Sequence, residues 1–268
     1  MVHTTIIVTI TGGNAGVNYA TGGGGIDNAG GVMKIIACTI CNNSSVQDSG
    51  GILNSGTMAI VASTVSGNQA TFINQNLTAA GGGISNSGTL IIASSTISDN
   101  SAFFGGGISD SDSGRVTIVA STISDNSAAY FGGGIFTQQA PSSWMMIIAS
   151  TISGNGDPED GGGIENDGTL TVLFTTISGN TAAKGGGIDN GGQLTITAST
   201  ITDNYAINTA IGGGIYNSGS LVITISSIRH NSASRGGGIA YLASAPTTVP
   251  TLVASDVSDN IGGDIVAL

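Results

Sequence analysis

The stretch "NSGTLIIASSTISDNSAFFGGGIS", Asn86–Ser109, returns almost unchanged as "NDGTLTVLFTTISGNTAAKGGGID", Asn166–Asp189. A sentence rewritten along a chain specifies architecture before it specifies chemistry. Two marks set the period. The first is the Ile that follows a glycine run, at Ile26, Ile52, Ile84, Ile108, Ile135, Ile164, Ile188, Ile215, Ile239 and, degenerately, Ile265. The second is the Asn that closes "STIS-x-N", at Asn43, Asn68, Asn100, Asn126, Asn155, Asn180, Asn204, Asn231 and Asn260. Asn18 is read as the first of this series, because Ile26 follows it at the same eight-residue spacing as Ile108 follows Asn100. Successive Ile marks lie 24 to 32 residues apart, and 24 occurs three times. The longer copies carry their extra residues after the Asn, as in "QATFINQNLTAA", or after the Ile, as in "FTQQAPSSWMM".

Inside each copy the period is two. In "QLTIT", Gln193–Thr197, Leu and Ile alternate with Thr, so apolar side chains face one way and hydroxyls the other. Three short strands per copy follow: around the Ile mark, around "LTI" and around the Ile of "STIS". A copy this short cannot bury its own apolar face, but stacked copies can. The expected fold is all-β, a parallel β-helix of about ten coils forming one domain over residues 1–268. Glycine runs suit turns that need φ > 0, and Asn suits turns and can stack as an amide ladder. Asn28, Asn54, Asn86, Asn166, Asn190 and Asn217 form a partial second series.

"NSAFFGGGI", Asn100–Ile108, and "NTAAKGGGI", Asn180–Ile188, resemble the paired GGA[ILV] and FxxN motifs of the polymorphic outer-membrane protein repeats. Here Gly replaces the Ala, and Ile or Val stands where that family has Phe. The resemblance covers nearly the whole chain. It implies a right-handed winding and a cell-surface setting, and it names no ligand, because adhesins, filaments and polysaccharide lyases share such solenoids.

Charge narrows the partners. Sixteen acids against five bases give a net charge of −11. A nucleic acid or an anionic membrane needs a basic face, so neither is an expected partner. No apolar run approaches the length of a membrane-spanning helix. The opening "MVHTTIIVTITGG" lacks the basic and cleavage regions of a signal peptide. Cys38 and Cys41 have C-x-x-C spacing, yet both stand where other copies have Ser, which reads as a small-residue exchange.

Candidate chemistry is sparse. Arg229, His230 and Arg235 form a basic spot in "SSIRHNSASRGGG", with Lys184 matching Arg235 two copies earlier. No paired carboxylates stand beside that spot, as glycoside cleavage would require. Asp110 and Asp112 in one stretch, and Asp157, Glu159 and Asp160 in another, are candidate structural Ca²⁺ ligands. No other cofactor is expected. Asp99, Asp125, Asp203 and Asp259 exchange with Gly in other copies and read as turn residues. Phe103 and Phe104 precede Tyr130 and Phe131 by one copy, which predicts an aromatic stack and makes glycans a candidate partner. Trp144 falls in a long insertion. The principal expected partner is a second copy. Ile6, Val8 and Ile10 at one end and Ile265, Val266 and Leu268 at the other read as uncapped, and both ladders stay in phase across a head-to-tail joint. The sequence therefore reads as a non-enzymatic, extracellular structural solenoid, a fibre or adhesin shaft. A lyase-like enzyme or a carbohydrate-binding module is the alternative.

Overall fold

The computed structural model describes residues 8–15, 22–46, 48–71, 79–111, 114–138, 143–157, 159–243 and 246–268. Every strand pairing is parallel, and strands from successive copies stack in register. Three sheets run the length of the molecule. One holds the strands at the Ile marks, such as Ile84–Asn86; one holds the five-residue strands, such as Thr89–Ala93; one holds the "STIS" strands, such as Thr96–Ser98. They contain ten, nine and ten strands among the described residues, which makes nine complete turns of a β-solenoid.

The core follows from the two-residue period. Ile52, Ile84, Ile108, Ile135, Ile164, Ile188, Ile215 and Ile239 form one fully buried column. Leu90 and Ile92 point inward from the five-residue strand, and Ile97 from the "STIS" strand, all with 0% exposure. Four apolar side chains per coil thus fill the tube, each stacking on its equivalent in the next coil. Burying such a side chain stabilises by about 1.5–3 kcal/mol.

A fourth strand, absent from the sequence reading, follows the ladder Asn. It spans Ser44–Ser45, Gln69–Ala70, Ser101–Phe104, Ser127–Phe131, Thr181–Lys184 and Tyr205–Ile211 in different coils. Single bridges through Gly156 and Asp160 continue the register across the coil between Phe131 and Lys184. The glycine run then turns the chain sharply into the Ile strand. At Gly185 φ is +56°, and a Cβ on Gly186 would lie 2.5 Å from the Tyr205 carbonyl oxygen, so neither position accepts a side chain without strain.

Three hydrogen-bond ladders line the corners. In the first, the Oδ1 of Asn126 accepts from both the backbone N–H and the Nδ2 of Asn100, at 3.0 Å each. Its own Nδ2 donates to Ile97 O and to Asn155 Oδ1. The same pattern runs from Asn43 to Asn260. Asn18 lies outside the described residues, and register places Gly13, not an Asn, opposite Asn43: Gly13 N–H donates to Asn43 Oδ1 at 2.9 Å. The left-handed residue of this turn is not the ladder Asn but the one before it, as at Asp99, Asp125 and Asp203.

The second ladder runs Asn28–Asn54–Asn86, breaks at Asp110 and Thr137, and resumes Asn166–Asn190–Asn217. Thr248 O receives the last amide. The third was not foreseen. The hydroxyls of Ser63, Ser95, Ser121, Ser150, Thr175, Ser199, Ser226 and Ser255 each accept the N–H of the equivalent residue one coil earlier. Cys38 begins this series with its N–H, and Cys41 pairs in register with Ser66, so both cysteines do occupy Ser positions.

Candidate functional site

The glycine turn folds two outward columns against each other. One column is the residue just before the glycine run: Phe104, Phe131, Asp160, Lys184, Ile211 and Arg235 in successive coils. The other is the residue just after the Ile mark: Phe136, Glu165, Asp189, Tyr216 and Ala240. Phe136 lies 5.6 Å from Phe104 and 6.2 Å from Phe131 between ring centroids, which shows the columns in contact.

The expected aromatic stack is present. Phe103 stacks on Tyr130 at 4.5 Å and Phe104 on Phe131 at 5.5 Å, with Phe136 as an additional member. One coil further along, the same two columns turn acidic. Glu165 and Asp189 are register partners on adjacent strands, and both are buried. Lys184 Nζ sits 3.1 Å from Asp160 Oδ1 and 3.2 Å from Oδ2, with the lysine side chain 45% exposed and the aspartate 18%. Asp157 and Asp167 stand within electrostatic reach of Glu165, and of this group Asp160 and Asp189 interact with the Lys184 ammonium.

Burial is the main cause of the electrostatics. Desolvation first, and the Asp189 charge second, push the Glu165 carboxyl far above the usual carboxylate range. Asp189 is raised by burial and by Asp160, and lowered by Lys184. Asp157 is pushed up to about 7, again chiefly by burial, although it accepts a hydrogen bond from Glu159 N–H. Glu165 Oε2 and Asp157 Oδ2 have no hydrogen-bond partner among the described residues.

The predicted site residues scatter. Arg229 ends a "STIS" strand and forms an exposed ion pair with Asp256, while His230 occupies the left-handed turn position with φ 56°. Arg235 stands in the pre-glycine column, matching Lys184 as expected, and Nη2 donates to Ala267 O. Arg229 and His230 thus come from the "STIS" edge of the coil and Arg235 from the pre-glycine edge. Of the proposed Ca²⁺ ligands, Asp112 lies outside the described residues and Asp110 is a buried ladder member. Glu159 is exposed, while Asp157 and Asp160 belong to the cluster just described. Among the described residues no three His, Cys, Asp or Glu side chains are arranged to hold a metal ion. Trp144 is not in the insertion but opens the five-residue strand Trp144–Ile148, beside Arg115.

Sequence reasoning missed Glu165 and Asp189. The signal was available in "GGGIENDG" and "GGGIDNGG", where the outward residue after the Ile is acidic in two successive copies. No family model, curated protein or solved structure matches this chain.

Proposed function

We propose that this chain is the shaft of an extracellular surface fibre or adhesin. The observation that carries the reading is continuity: the core columns and the Asn ladder pass through nine turns without a break, while insertions are confined to two corners. Such a tube is stiff along its axis and lengthens by adding coils. The exposure of the last coil supports this. Ile265 is 42% exposed although its column partner Ile239 is 0% exposed, and Leu252 and Val257 are only partly buried. Val266 and Leu268 are likewise only partly covered, and at the other end Val8 is exposed and Ile10 partly buried. Ile6 lies outside the described residues. Any coil stacked on these strand edges, from a second copy or from further chain, extends the same shaft.

The acidic composition and the motif resemblance support a surface location. Immunogold labelling of the source cells tests it: label at the cell surface or on extracellular filaments is expected, and label confined to the cell interior would sink the reading. Light scattering and negative-stain microscopy of the purified chain test stacking. Rods that lengthen with concentration, and shorten with Val266→Asp, are expected.

A further inference from the structure

The first Asn ladder departs from its own pattern at both faces of the described solenoid, and the two departures fit each other. Within the ladder each Asn gives its N–H and Nδ2 to the Oδ1 of the Asn one coil on, as Asn204 does to Asn231 at 3.0 Å each. Asn260 gives both to its own coil instead. Asp264 Oδ1 accepts the N–H at 3.1 Å and the Nδ2 at 3.0 Å. Asp264 stands where other coils have the last glycine before the Ile: its carbonyl takes Ile239 N–H as Gly238 O takes Ile215 N–H. At those glycines, from Gly25 to Gly238, a Cβ would lie 2.8–3.1 Å from the ladder amide of the next coil. The Asp264 side chain therefore fills the space that an Asn in the next coil needs, and its Oδ1 lies where that Asn would bring its own.

At the opposite face the ladder position is Gly13, in the coil that carries Thr9–Thr11. Among the described residues it is the one ladder position without an amide side chain. Its N–H still donates to Asn43 Oδ1, so the ladder continues from it. We propose that Asp264 and Gly13 form the lock of a head-to-tail joint between two copies of this chain, in which Asp264 supplies the ladder oxygen that Gly13 lacks. The proposal rests on the stacking described above and fixes its register. Thr9–Thr11 lies at one edge of the "STIS" sheet and Asp256–Ser258 at the other, as Ile26–Asn28 and Ile265–Ala267 do in the Ile sheet. Continuing these columns sets Val257 on Ile10 and Ile265 on Ile26 of the second copy, and all four are incompletely buried. Charge does not oppose the joint, although the chain carries −11. The columns set Asp256 on Thr9, Asp259 on Gly12, Asp264 on Gly25 and Val266 on Asp27, so no acid meets an acid. A coil with Asn at the ladder position would collide with Asp264, so the same face that accepts the Gly13 coil rejects the others.

Disulfide trapping and analytical sedimentation of the full chain test the lock. Cys38→Ser and Cys41→Ser first remove both native thiols, since Cys41 is the register partner of Thr11. Across the joint Ser258 faces Thr11 of the second copy at the strand spacing of about 4.8 Å, within the reach of a disulfide. In this background a mixture of Thr11→Cys and Ser258→Cys proteins should give a crosslinked dimer on mild oxidation, and neither protein alone should. Asp264→Ala keeps the Cβ and loses the acceptor. It should raise the protein concentration needed for association at least about 5-fold, because the joint buries an Asn260 N–H left without a partner. Asp264→Asn keeps Oδ1 and should associate like the parent. Rods without the mixed crosslink overturn the lock and leave the shaft reading standing, as does an Asp264→Ala protein that associates as well as the parent. Crosslinking of either single-cysteine protein with itself overturns it by showing like ends in contact. Equal loss in Asp264→Asn and Asp264→Ala overturns the acceptor role. No association of the parent at any concentration overturns the stacking itself, and the lock with it.

Discussion

Asp110 shows how much a single atom matters in a ladder. Its neighbours in register, Asn86 and Thr137, continue an amide and hydroxyl series, and Asp110 accepts from Asn86 Nδ2 at 2.7 Å. A carboxylate there is buried, and desolvation pushes it up to about 7 against the lowering effect of the Asn86 bond. The folded value is thus raised above the unfolded one, near 3.9. The stability this group contributes is full below that unfolded value and is lost as pH rises through about 7. Asp110→Asn should therefore leave stability at pH 4 nearly unchanged and raise it at pH 8, by at most about 4 kcal/mol. Urea titrations at the two pH values check this, and an equal effect at both would refute it. The core obeys a simpler rule. Ile188 is fully buried and Thr195 is exposed. Ile188→Ala should cost about 2–5 kcal/mol and Thr195→Ala well under 1 kcal/mol. Similar shifts in denaturation midpoint would show the inward and outward assignment to be wrong.

At the scale of the element, the Asn ladder behaves as one unit. Asn180 Oδ1 takes the N–H and Nδ2 of Asn155, and its Nδ2 supplies Ile152 O and Asn204 Oδ1. Asn180→Ala removes four hydrogen bonds to two other coils; Asn204 Oδ1 keeps the Asn180 N–H and Asn155 Nδ2 keeps Ile123 O, but the buried Asn155 N–H loses its acceptor, at about 1–3 kcal/mol for a group left unsatisfied. Asn180→Asp keeps the acceptors but removes both donated bonds, and should also destabilise. Thermal melts measure both, and a melting point unmoved by either change would mean that the ladder is not cooperative. The Ile and Asn marks made this element legible in the sequence, because a stacked solenoid repeats whatever its corners require. The fourth strand was not legible. It is as short as two residues, as at Gln69–Ala70, and its outward positions vary from Ser to Phe to Lys. Nor was the corner ahead of the hydroxyl ladder. There Ala37, Ala62, Ala120, Ala149 and Ala198 hold φ near 50°, and Phe174 and Ile225 do the same. Left-handed backbone is ordinarily signalled by Gly or Asn. Here the paired strands on both sides fix the corner, so local propensity is overruled. The Glu165–Asp189 pair escaped for a related reason: its two members are 24 residues apart and become neighbours only once register is known.

For the whole molecule, acids are spread unevenly between surface and interior. Asp110, Asp157, Glu165 and Asp189 are all buried, and burial raises each of them. Acid unfolding of most proteins comes from carboxylates whose folded values are depressed, and here the sign is reversed. Each of these four groups binds its proton more tightly in the folded state. Their stabilisation is therefore complete below about pH 4, the unfolded range, and declines as pH rises through 7 and beyond. Net charge acts in the same direction, since −11 at neutral pH shrinks as the remaining acids protonate. Lys184 offsets the trend only locally, through Asp160 and Asp189. The expected outcome is a melting temperature that is highest between pH 4 and 5 and falls steadily to pH 9. Glu165→Gln should flatten the fall, because an amide in that place has no proton to lose. Scanning calorimetry across this range is the measurement. A melting temperature that climbs from pH 5 to pH 8 would mean that the buried acids are ionised in the folded protein and held by a compensating cation.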